Sequence, residues 1–294
     1  MPLKDRAAAG LMVLIWGLNF AVMKVGLQDV PPLLLGALRF ICVAFPAVFI
    51  LKRPNVPLRL FVPYGLTICF GQFAFVFSAI YVGMPTGIAS LVLQCQGFIS
   101  LILAAFVFGD RIRASNLVGL AIAFGGLVML MSASVSGQGV PILGFVFILC
   151  AATSWATGNM FNKAIGRVDV LSLVAWAGLV PILPFLAASA RLEGVPQIIT
   201  SLTHLHLATL AAVAFLAYCA SLIGYSIWGH LIASHPVWKV APLTLLVPIV
   251  GLLTGWLLMG ERLSLLQVAG SAIVLAGLIV NVFGADVLAR LRQL

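Results

Sequence analysis

The stretch Gly109-Asp110-Arg111-Ile112 returns 151 residues later as Gly260-Glu261-Arg262-Leu263, and each copy closes an apolar run of about twenty residues. Nine residues beyond each acid stands a glycine, Gly119 and Gly270, and sixteen beyond stands another, Gly126 and Gly277. Twenty-four residues before Gly109 and Gly260 stand Pro85 and Pro236. Earlier in each half Trp16 precedes Lys24 by eight residues and Trp155 precedes Lys163 by eight, an offset of 139. The chain therefore reads as two copies of one unit, 1–137 and 138–294. The second is longer by about twelve residues, most simply in the polar stretch Arg191 to Thr203.

Between these landmarks the sequence is apolar. Of its 294 residues 63% are hydrophobic and 8% charged, with a mean hydropathy of +1.21, whereas soluble domains carry about 25% charged side chains. A membrane-crossing helix needs about 20 apolar residues, and five such runs fit each half. The first five are Ala7 to Val25, Pro32 to Leu51, Val62 to Val82, Thr86 to Phe108 and Ala114 to Met131. The second five are Leu143 to Asn162, Leu171 to Ala188, Leu207 to Ile232, Val240 to Met259 and Leu265 to Phe283. Runs of this length without period-two alternation are helices and not barrel strands. The expected fold is an all-α membrane protein of ten transmembrane helices in two inverted five-helix repeats. Five is odd, so the copies cross in opposite directions, the architecture of alternating access.

Basic residues set the orientation. With a cytoplasmic N-terminus, twelve of the sixteen Lys and Arg residues fall on the cytoplasmic side, while Lys24, Arg191 and Arg262 fall outside and Arg39 lies within a span. Both termini are thus expected in the cytoplasm. Lys4 and Arg6 ahead of the first run resemble a signal-peptide n-region, but no convincing cleavage site follows, so that run is expected to stay as the first span. The formal charge of +9 is scattered between spans and forms no stripe, which excludes nucleic acid as a partner. Cys42, Cys69, Cys95, Cys150 and Cys219 all lie in apolar runs without metal-ligand spacing, and there is no GxxxxGK[ST] loop for ATP. No cofactor and no metal is called for. The expected partners are a small-molecule substrate and the lipid bilayer.

Taken together, Trp16-Gly17-Leu18-Asn19-Phe20, Leu38-Arg39-Phe40, the two Gly-Asp/Glu-Arg turns and the five-plus-five repeat resemble the drug/metabolite transporter superfamily. The likeness is to its EamA-type branch of amino-acid metabolite exporters and runs from about Ala7 to Gly284. It implies a secondary transporter of the bacterial inner membrane that exports aromatic amino acids, threonine, or cysteine and O-acetylserine. A multidrug or cation exporter of the same fold and a passive solute channel are the alternatives. A membrane-embedded enzyme fits least, because all seven acids map to tails or loops.

Polar groups inside the spans supply the candidate substrate site. Trp16, Asn19 and Met23 share one face of the first span, and Trp155, Asn159 and Asn162 one face of the sixth. An amide in hydrocarbon is costly unless paired, so these faces either line a wet cavity or join helix to helix. The third span offers Gln72, Ser78 and Tyr81, and the fourth Gln94. Tyr218, Ser221, Tyr225 and Trp228 form a stripe on the eighth at steps of three, four and three. Tyr81 and Trp228 are equally readable as interfacial aromatics. Four charged or titratable residues are gate candidates. Arg39 lies about 10 Å inside the second span and either contacts substrate or a gate or is held structurally, by helix-end carbonyls or an outer acid such as Glu261. Lys24 and Lys163 either meet a substrate carboxylate at the two mouths or snorkel to the interface. His230 is either the proton-coupling residue or a satisfied polar group at a helix end. The glycines of the fifth and tenth spans are expected to pack those helices together as scaffold.

Overall fold

The computed structural model describes residues 1–135 and 140–291, so the expected join at 137/138 lies outside the described residues. Every element among them is helical. The first half comprises α1 (Leu3–Gly26), α2 (Pro32–Val48), α3 (Leu58–Tyr81), α4 (Thr86–Phe108) and α5 (Ala114–Val135). The second comprises α6 (Ile142–Ile165), α7 (Val170–Thr203), α8 (Leu207–Ser234), α9 (Pro242–Met259, with a short helical lead over 237–240) and α10 (Leu265–Leu291). Among the described residues nine of these are long and apolar enough to cross a membrane, and α2, with 17 residues, is the shorter tenth. Large apolar side chains such as Phe124 and Trp256 stand exposed on the outer surface, as a protein solvated by lipid requires.

The helix ends follow from local chemistry. Proline stands at or just before the starts of α2, α3, α4 and α6, where its missing N–H costs nothing. The glycines of the repeated turns, Gly109 and Gly260, end α4 and α9 with φ of 71° and 65°, the left-handed cap that glycine adopts most readily. One expectation changes. The polar stretch after Ala188 is not a loop, because α7 continues through a π turn at Ala190–Gly194 into an amphipathic helix, Val195–Thr203. Mid-helix π turns also occur at Gly65–Gly71 in α3 and Phe215–Ile223 in α8, the third helix of each half.

The packing pairs the halves reciprocally. α1 lies against α8 and α9, and its counterpart α6 lies against α3 and α4. α5 and α10 meet backbone to backbone: a Cβ on Gly119 would fall 2.7 Å from the Gly277 carbonyl oxygen, and one on Gly126 would fall 2.7 Å from that of Gly270. Gly119 corresponds by repeat to Gly270 and Gly126 to Gly277, so each glycine faces the counterpart of the other, as antiparallel partners about a twofold axis must. This seam is the scaffold expected from the glycine spacing.

Candidate functional site

The remaining helices enclose a cavity of about 1200 Å³. Its wall begins with Trp16 of α1. The indole lies so close to α8 that a Cβ on Gly224 would sit 2.4 Å from Nε1, and that N–H donates to the Ala220 carbonyl at 3.1 Å, inside the π turn. π turns leave backbone carbonyls off the regular ladder and often mark functional sites. Tyr225 and Trp228 stand 5.4 and 5.9 Å from the Trp16 ring, forming an aromatic cluster. Asn19 and Met23 continue the α1 face deeper into the protein. From α6, Trp155 lines the wall and Asn159 donates to Gln96 Oε1 and Ser100 Oγ, both at 3.0 Å. Helix α4 breaks between Leu93 and Gln96, where Gln94 donates to the Thr244 carbonyl at 3.0 Å.

Arg39 closes the deep end. Its side chain is buried, with the guanidinium 3.9 Å from the Phe73 ring centroid, and Nε and Nη2 donate to Ser221 Oγ at 3.3 and 3.0 Å. Nη1 has no hydrogen-bond partner. The amide oxygens of Asn19 and Gln72 are buried and unpartnered as well, and both residues line the same cavity.

One end of the cavity is open. Gly166 to Asp169, from the α6–α7 loop, and Ile232 and Ala233, at the end of α8, line its mouth on the face that carries the termini. There Asp5 of α1 meets His235 at 2.6 Å and His230 at 3.4 Å. The opposite face is sealed by three carboxylates. Glu261 accepts from Lys24 Nζ at 3.0 Å and from the N–H groups of Thr86 and Gly87 at 2.8 and 3.3 Å, at the start of α4. Glu193 accepts from the N–H groups of Leu33 and Leu34 at 2.6 and 3.1 Å, at the start of α2, and from Ser189 Oγ at 2.6 Å. Asp29 accepts from the Thr209 hydroxyl and pairs with His206 Nδ1 at 2.9 Å. The hydrogen bond from Thr209, then that from His206, hold the Asp29 carboxyl below its ordinary value. Each glutamate also places negative charge at the positive end of a helix dipole.

Against known families, the profile of the EamA-like transporter family matches residues 7–132 and again 142–283. The chain belongs to the EamA-like transporter family. Among its relatives is a protein of Salmonella typhimurium named "Probable amino-acid metabolite efflux pump", 51% identical over 288 residues that span 97% of this chain and 96% of that one. A protein of Escherichia coli K12 with the same name is 50% identical over the same shares. An "Uncharacterized transporter" of Archaeoglobus fulgidus is 28% identical over 95% of this chain and 99% of its own. A solved crystal structure shares the fold over 100% of both chains, with a TM-score of 0.66 at 21% identity.

Within this EamA-like transporter, Trp16, Asn19, Met23, Arg39, Gln72, Gln94, Trp155, Asn159, Tyr225, Trp228 and His230 all line this cavity. Ser221 lies behind its wall as the anchor of Arg39. Ser78, Tyr81 and Tyr218 do not line it, a correction with a geometric cause. Ser78 is two residues past Val76, which does line the cavity, and so about 200° round a helix of 3.6 residues per turn. Tyr81 ends α3 and is exposed. Tyr218 falls inside the π turn of α8, where each turn holds an extra residue and the three-four-three stripe loses phase, leaving it outward. His230 is not deep in a span but at the mouth, mostly exposed. Lys24 and Lys163 bond to Glu261 and Asp110, so Glu261 is the partner of Lys24 rather than of Arg39.

Sequence reasoning passed over Glu193 and Asp29, and offered Glu261 only as a partner of Arg39. A signal for the two glutamates existed: α2 and α4 open on prolines with no Ser, Thr, Asp or Asn in the capping position, so their first N–H groups need an acceptor from elsewhere.

Proposed function

We propose that this EamA-like transporter exports amino acids or close metabolites out of the cytoplasm by alternating access. One observation carries the reading: a large amphipathic cavity between the halves, open on the termini-bearing face and sealed by carboxylates on the other. The distribution of Lys and Arg supports an open face in the cytoplasm, with an amino-acid metabolite entering from inside, and an inner-membrane location fits the efflux pumps among the relatives. The efflux role in the names of two half-identical relatives supports the same direction. The halves 1–137 and 138–294 act as the moving units, and the substrate leaves chemically unchanged. Aromatic amino acids, threonine, cysteine and O-acetylserine are the substrates to try first, since Trp16, Tyr225 and Trp228 offer faces for an apolar side chain and the amides offer hydrogen bonds.

The test is counterflow in proteoliposomes. Vesicles preloaded with one of these compounds should transiently concentrate the labelled compound from outside, and the initial rate should saturate. A rate linear in concentration, with no overshoot, would establish a passive channel instead.

A further inference from the structure

Three buried atoms without partners belong to residues that line the cavity, and they differ in charge character. Arg39 Nη1 is a cationic donor, while Asn19 Oδ1 and Gln72 Oε1 are neutral acceptors. They come from α2, α1 and α3 at similar depth. Asn19 and Arg39 each lie seven residues from the helix end on the closed face and Gln72 nine, so all three sit roughly 10–14 Å inside it.

Arg39 is not simply satisfied as structure. Ser221 and the Phe73 ring hold Nε, Nη2 and the guanidinium plane, which fixes the side chain and leaves Nη1 over. Glu261, Glu193 and Asp29, the carboxylates that seal the closed face, are each engaged by other donors. A cation in a membrane span calls for an anionic partner, and a planar guanidinium is the group best shaped to bind a carboxylate. Two amide oxygens on the same cavity wall at similar depth suit an ammonium, which has three donors and no acceptor. The three groups together complement a zwitterion whose charges are a few bonds apart.

We propose that Arg39 docks the substrate carboxylate and that Asn19 and Gln72 accept its α-ammonium, with the side chain lying toward the Trp16, Tyr225 and Trp228 cluster. This rests on the export reading and narrows it, because the zwitterionic headgroup is the recognised element and the side chain is the variable one. A headgroup between α1, α2 and α3 also touches α1 and α2, whose outer ends the carboxylates hold.

Equilibrium binding to the purified full-length protein tests this with L-threonine, L-phenylalanine, L-cysteine and O-acetyl-L-serine. Each ligand that binds is compared with its carboxamide, which lacks the carboxylate, and phenylalanine also with 3-phenylpropionate, which lacks the ammonium. In the unaltered protein the carboxamide should bind at least about tenfold more weakly. Arg39→Gln should abolish that preference, and Asn19→Ala should weaken the amino acid several-fold while sparing 3-phenylpropionate. If Arg39→Gln does not fold, the ligand series on the unaltered protein still decides. An amino acid and its carboxamide binding equally would overturn the dock and leave the export reading standing. Binding of none of the four amino acids would overturn both.

Discussion

The two faces of the protein carry the same ion pair, built by the repeat, in two different settings. On the closed face Lys24 of α1 reaches Glu261, whose side chain is 11% exposed and also caps the start of α4. On the open face Lys163 of α6 reaches Asp110 at 2.6 Å, with both side chains 45% exposed. An exposed pair contributes between nothing and about 1 kcal/mol. A carboxylate shielded from water that accepts two backbone N–H groups at a helix start holds more, because its loss strands those donors. The same repeated residues are therefore a lock on one face and a loose clasp on the other, and exchange of these roles is what alternating access by inverted repeats requires. On the proposed reading, the imbalance favours the conformation seen.

Breaking the lock should give the largest effect. Glu261→Ala removes the acceptor of three donors and should shift the balance by about 2 kcal/mol, which is more than tenfold in population. A cysteine at the buried Met84, just before α4, introduced after replacement of the five native cysteines, should then react at least about tenfold faster with an impermeant thiol reagent. Glu193→Gln keeps an acceptor at the start of α2 but removes the charge and should cost about 1 kcal/mol, seen as a lower thermal midpoint of the purified protein.

Some of this contrast was legible in the sequence and some was not. The ten helices, the seam of Gly119 and Gly126 against Gly270 and Gly277, and the gathering of Trp16, Asn19, Trp155 and Asn159 were readable, because hydropathy and helical spacing are local quantities. The lock was not. Glu261 meets Thr86 across 175 positions and Glu193 meets Leu33 across 160, and nothing in one sequence states which distant acid caps which helix. The misplacement of Tyr218 has a different origin, since a π turn alters the periodicity on which a face is reckoned. The continuation of α7 past Gly194 was hidden because its polar surface reads as loop until the Glu193 carboxylate is seen tying it to α2.

Smaller effects sharpen the comparison from the other side. Asp110→Asn should change stability by less than about 1 kcal/mol and leave Met84→Cys labelling within about twofold. An effect as large as that of Glu261→Ala would erase the distinction between lock and clasp. The smallest effect concerns pH. The Asp29 carboxyl is held below its ordinary value by the bonds it accepts, so its contribution is present above the ordinary carboxylate range and is lost as pH falls through the depressed value. Acidification to about pH 5 on the closed face should leave Met84→Cys labelling unchanged, and a rise should come only at lower pH and should be smaller in Asp29→Asn.

The most direct measurement follows the open face while the closed one is unlocked. A single cysteine at Ala233, exposed at the cavity mouth, is labelled from the termini-bearing side with an impermeant thiol reagent, with Glu261 intact and as Glu261→Gln. If the two faces open in alternation, Ala233→Cys labels fast in the intact protein and several-fold more slowly in the Glu261→Gln background. Labelling that is unchanged or faster on removal of Glu261 would mean that the faces open independently, and the alternating-access account would be contradicted.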